Sequence, residues 1–151
     1  MAPRETIYAA FAALLTGITD IGGTKTFKAG GRELPAPDQI SGEAMPACYV
    51  LQIDETPTHV RGVPAIWTFM AEVYLYASTG TQRQLAKSQV LNPLVDAVIN
   101  VLVPIQQGQI FEQTLGGLVS KCRVSGKVRY GEGLLGDYAI AILPAEITVP
   151  Q

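Results

Sequence analysis

Between Ala65 and Ala77 the chain reads Ala-Ile-Trp-Thr-Phe-Met-Ala-Glu-Val-Tyr-Leu-Tyr-Ala, so Trp67, Phe69, Ala71, Val73 and Leu75 alternate with Ile66, Thr68, Met70, Glu72, Tyr74 and Tyr76. A period of two sends neighbours to opposite faces of a sheet. One face is apolar throughout; the other mixes Thr68, Glu72 and two tyrosines, whose large rings and polar tips suit a contact with another protein. At roughly 3.3 Å per residue this strand spans on the order of 40 Å, about twice an ordinary strand. Part of it is therefore expected to reach beyond its own domain, and unpaired strand ends invite another chain.

The remaining pattern arranges itself around that strand. Ile7, Phe11, Leu14, Leu15 and Ile18 recur on one helix face, with Pro3 at the start and Gly17 placed to stop it, the pair Gly22 and Gly23 being an alternative stop, which predicts a helix from about Pro3 to Thr16. From Thr24 to Pro46, glycine, proline, lysine and aspartate dominate; a short strand near Thr26 to Ala29 and otherwise a mobile surface loop are expected. Ala47 to Ile53 alternates as a strand, and the polar connection from Asp54 to Pro64 pairs it with the long strand as a hairpin. Leu85, Val90, Leu91, Leu94, Val95, Val98, Ile99 and Leu102 signal a second helix that ends at Pro104; either Asn92 caps a helix from Pro93 to Leu102 or a longer helix kinks at Pro93, and the apolar period running before the proline favours the longer one. Leu118 to Tyr130 reads as a strand with cations on one face. Tyr138 to Val149 reads as a strand apolar on both faces, hence central, with a bulge or the start of an edge expected at Pro144. The order α-β-β-α-β-β predicts an α+β fold: an antiparallel sheet of about four strands, made of two hairpins, with two helices packed on one face.

Composition narrows the function classes. The 151 residues suit one domain spanning 1–151. At 48% hydrophobic and 16% charged, the surface carries few charges, which leaves room for contacts with partners. A net charge of -2 argues against a protein held to DNA through phosphates. Nothing in the chain is apolar enough over enough residues to span a bilayer, and no signal peptide is read, so folding in the cytosol is expected. Cys48 and Cys122 each sit among apolar residues and read as free buried thiols.

Little in the sequence points to chemistry. Gly131-Glu132-Gly133-Leu134-Leu135-Gly136 has the G-x-G-x-x-G spacing, but a strand follows it rather than the helix that would receive a pyrophosphate, so a glycine-rich hairpin loop is the reading. Leu134 and Leu135 at its tip would be exposed without a neighbour to cover them. His59 has Asp54 and Glu55 nearby, short of three convergent metal ligands, and Cys122 has no local partner to lower its pKa. No cofactor, metal or catalytic set is expected.

Three stretches, in order, cover roughly half the chain: Pro3 to Gly17; Gly62-Val-Pro-Ala-Ile-Trp-Thr-Phe-Met-Ala-Glu-Val-Tyr-Leu-Tyr-Ala; and Thr114-Leu-Gly-Gly-Leu-Val-Ser-Lys-Cys with Gly131-Glu-Gly-Leu-Leu-Gly-Asp-Tyr-Ala-Ile-Ala-Ile-Leu-Pro. Together they resemble the tail terminator, or tail-completion, proteins of long-tailed bacteriophages. The resemblance implies a structural virion protein of the tail or neck, assembled in the host cytoplasm. It would form a homohexameric ring on the last ring of tail-tube protein, stop tube growth and present a docking surface to the head-completion or connector proteins. DNA would pass through the lumen without specific binding. The segment from Thr24 to Pro46 departs furthest from the family pattern. The alternative within the class is a head-tail connector or stopper ring, and outside it a small cytosolic enzyme using Cys122 or His59. The interface residues expected are Thr68, Glu72, Tyr74, Tyr76, Leu134 and Leu135.

Overall fold

The computed structural model describes residues 1–36, 39–78, 87–131 and 138–150, and only the backbone of 87 and 88. Its spine is three long neighbouring strands: β2 (Ala47–Thr58), β3 (Ile66–Ser78) and β8 (Tyr138–Pro150). β2 pairs antiparallel with β3, and β3 antiparallel with β8 without a break from Ile66 opposite Pro150 to Ser78 opposite Tyr138. β1 (Ala29–Gly31) lies outside β2 and is parallel to it, and β6 (Lys121–Val124) and β7 (Arg129–Gly131) both lie outside β8. A separate hairpin of β4 (Ile105–Gln106) and β5 (Gln109–Ile110) turns through Gln107 and Gly108, both at positive φ. Two consecutive left-handed residues match the right-handed twist of paired strands.

The expected fold class needs correction. The sheet is six-stranded and mixed rather than a four-stranded antiparallel one, because β1 adds a parallel edge and the predicted strand from Leu118 to Tyr130 is two short pieces. The split has a cause on β8. Ser125 N–H donates to the Pro144 carbonyl at 3.0 Å, so the side of Pro144 that lacks a donor also faces this neighbour. The ladder stops there, Gly126 turns at φ 115° against the proline ring, and pairing resumes only at Arg129. The irregularity expected on β8 itself thus appears in the strand beside it.

Both helices cover the same face. α1 (Arg4–Thr16) buries Ile7, Tyr8, Phe11, Ala12 and Leu15, and α2 (Lys87–Leu102), with Pro93 inside it, buries Leu91, Leu94, Val95, Val98 and Leu102. They meet Phe69, Ala71, Val73, Leu75 and the alternating Ala139, Ala141, Leu143, Ala145, Ile147 and Val149 in one core. Burial of this much apolar area, at about 25 cal/mol per Å², is the main force holding the layers together. The segment from Thr24 to Pro46 is more than the expected surface loop. Phe27 enters the main core, β1 joins the sheet, and Ile40 and Met45 form a second cluster with Ala47 and Tyr76 on the other face. Three large apolar side chains among the glycines and prolines give that segment something to bury.

Candidate interaction surface

The sheet face away from the helices is built by the other half of each alternation. Across it, Tyr49, Tyr74, Ile142 and Arg129 fall in one register row, and Leu51, Glu72 and Pro144 in the next. Glu72 anchors the centre: it accepts the Tyr74 hydroxyl at 2.8 Å and lies 3.5 Å from the Arg129 guanidinium. Glu146 repeats the arrangement, with Arg123 at 3.7 Å and the Ser125 hydroxyl donating at 3.4 Å. Burial, then the bond to Glu72 and its charge, push the Tyr74 phenol above the ordinary tyrosine range, so it stays a donor at neutral pH.

Thr68, Glu72 and Tyr74 are half-buried on this face, which neither helix covers. Tyr76 is only 2% exposed, lying under Ile40 and Met45 and edge-on to Tyr49 at 6.1 Å. Its ring is therefore occupied within the chain. Leu134 and Leu135, with most of the G-x-G-x-x-G stretch, lie outside the described residues.

At the opposite surface, two arginines clamp α1 to the sheet. Arg4 pairs with Glu55 and lies over Trp67, with its guanidinium carbon 4.8 Å from the ring centre; Arg32 bonds Glu5 and Gln52 and lies 5.5 Å from the Tyr8 ring. Tyr8 in turn stacks on Phe69 at 5.6 Å. Four exposed apolar side chains mark the end of the β2–β3 hairpin and the β4–β5 hairpin: Val60, Val63, Ile105 and Ile110. The β4–β5 hairpin, absent from the expected elements, has its signal in Ile-Gln-Gln-Gly-Gln-Ile, where a turn-forming Gln-Gly sits between two isoleucines. Between the end of α1 and α2 lies an open groove of about 720 Å³ lined in part by Leu14, Ile18, Ile21, Leu94 and Val101.

The residues considered for chemistry are not brought together. Cys122 faces the core on β6, fully buried, and burial pushes its thiol, like that of Cys48, up to about 12. A thiol so held is protonated at neutral pH and a poor nucleophile. His59 is exposed in the loop after β2. Among the described residues no group of three or more His, Cys, Asp or Glu could hold a metal ion, and no helix is long and apolar enough to cross a membrane.

No family model and no curated protein matches the sequence. Among solved structures, a chain titled "Virion of native gene transfer agent (GTA) particle" is similar at 15% identity, covering 96% of this chain and 92% of that one with a TM-score of 0.45. A second solved chain is similar at 14% identity, covering 97% and 96%, with a TM-score of 0.48. Both scores lie below 0.5, so neither likeness decides the role of this chain.

Proposed function

We propose that this chain is a structural subunit of a phage-like virion, a ring-forming tail terminator that caps the tail tube and receives the head-completion or connector proteins. The observation that carries the reading is the sheet face presenting Thr68, Glu72 and Tyr74 uncovered by either helix, on the strand that also bears the family-like sequence. A half-buried face that mixes an aromatic ring, a hydroxyl and ion-paired side chains is suited to a protein contact. The exposed apolar tips of two hairpins add contact points beyond it. The partners proposed are further copies of the chain, the tube protein and the connector, with DNA passing through without being held.

The test is a polymerisation assay. Tail-tube subunits assembled with the purified protein should give tubes of arrested length with density on one end. Tubes that grow to the same length with bare ends would reject the proposal, and preferential binding to portal complexes would favour the connector role instead.

A further inference from the structure

The two edges of the sheet differ in charge. β2 has a strand neighbour outside it only at Ala47 to Tyr49, so from Val50 to Thr58 its outer backbone is unpaired among the described residues. That stretch carries Asp54 and Glu55, with Glu33 exposed just past β1; the cations beside it, Arg4 and Arg32, are engaged by Glu55 and by Glu5 and Gln52. On the other edge, β6 and β7 pair with β8 on one side only, and residues 121–131 carry Lys121, Arg123, Lys127 and Arg129 without a single acid. Glu55 is taken by Arg4, and Arg123 and Arg129 by Glu146 and Glu72. Glu33 and Asp54 on one edge, and Lys121 and Lys127 on the other, have no ion-pair partner among the described residues.

Each edge also exposes one large apolar side chain. Ile53 is the extra residue of a bulge in β2 and is 49% exposed; Tyr130 on β7 is 44% exposed. Bulges and charges on an edge ordinarily block indiscriminate pairing. Opposite charges on two edges of one sheet leave a single pairing favoured, edge of one copy to opposite edge of the next.

We infer that the β2 edge of one copy docks against the β6 edge of a second copy, head to tail, with Asp54 facing Lys121 and Glu33 facing Lys127 where the sheet continues in register. Strand directions agree with this: they alternate from β2 through β3 and β8 to β6, so a neighbouring copy continuing the sheet places its β6 antiparallel to β2. A contact between two different patches repeats from copy to copy and generates a ring or an open filament rather than a two-fold dimer. This inference rests on the ring reading above and assigns the surfaces that make the ring.

The experiment is sedimentation velocity at low salt on the wild type and three charge-altered forms. Lys121→Glu with Lys127→Glu, and Glu33→Lys with Asp54→Lys, should each weaken self-association about tenfold or more, because like charges then meet across the contact. The fourfold variant, with all signs exchanged, should recover it. Mixing Asp54→Cys protein with Arg123→Cys protein, whose positions share one row of the continued sheet, should give a disulfide-linked pair of unlike chains under oxidation, and neither alone should. Wild-type rings that are indifferent to both double variants and never cross-link would overturn the edge contact while leaving the ring reading standing. A wild-type chain that stays monomeric at all concentrations and on tube ends would overturn both.

Discussion

At the residue scale, the side chains that look most polar in the sequence serve mainly to hold the fold. Arg4 is both the partner of Glu55 and the cation over Trp67, on a side chain that is partly open to solvent. Screening limits the ion pair, so Arg4→Ala should cost about 1 kcal/mol, most of it from the ring contact, read as a lower denaturant midpoint with unchanged slope. Tyr8 is buried with no hydrogen-bond partner for its hydroxyl, while the amide oxygen of the neighbouring Gln52 is engaged by Arg32. Burial first, and then the charge of Glu55, push its phenol up to about 12 from 10. Between those values the folded chain holds a proton that the unfolded chain has released. Its contribution is therefore intact below pH 10 and is lost as pH rises from 10 to 12. Cys48 and Cys122, raised to about 12 from 9, act in the same direction from pH 9 upward. Denaturant midpoints measured from pH 8 to 12 should fall progressively above pH 9, and Tyr8→Phe should reduce the fall between 10 and 12 while leaving stability at pH 7 unchanged or slightly raised.

At the scale of elements, what could be read from the chain follows from periodicity. The long strand, its hairpin partner, the last strand and both helices lie where alternation or a 3.6-residue repeat placed them, within a few residues. What could not be read was decided by backbone contacts between distant segments. Ala29-Gly30-Gly31 has no alternation to detect, yet it forms the parallel edge because Gly30 lets two backbones approach. A Cβ there would run into the Cys48 carbonyl oxygen and lie 2.7 Å from Thr16 Cγ2. Gly30→Ala should destabilise the chain by about 1–3 kcal/mol, measured by chemical unfolding, with the amides of β1 losing exchange protection first. The break between β6 and β7 has the same character: it is set by Pro144, some twenty residues away in sequence, and no local pattern from Leu118 to Tyr130 announces it. For Tyr76, parity alone supports a place on the contact face. Parity places it on that face, but Ile40 and Met45, from a segment read as a loop, cover it.

At the scale of the whole molecule, the helices close one face of the sheet and leave the other face, both edges and two hairpin tips to be met from outside. A sheet face covered only in part, by Ile40 and Met45, leaves surface that a repeating assembly can use, because each copy must present surfaces to neighbours in more than one direction. Thr68, Glu72 and Tyr74 were legible as surface candidates from the alternation of β3. Arg129, the partner of Glu72 across β8, and Arg123, the partner of Glu146 on β8, are visible in the sequence only as cations on one strand, since their pairing depends on where β8 lies. The measurement that bears most directly on the proposed role is the mass of the protein alone and with tail tubes, by light scattering combined with negative-stain images of tube ends. A closed assembly whose mass is a multiple of 16.1 kDa, seated on one end of each tube and blocking further addition, is the expected result. Monomers in solution together with bare, growing tube ends would contradict it.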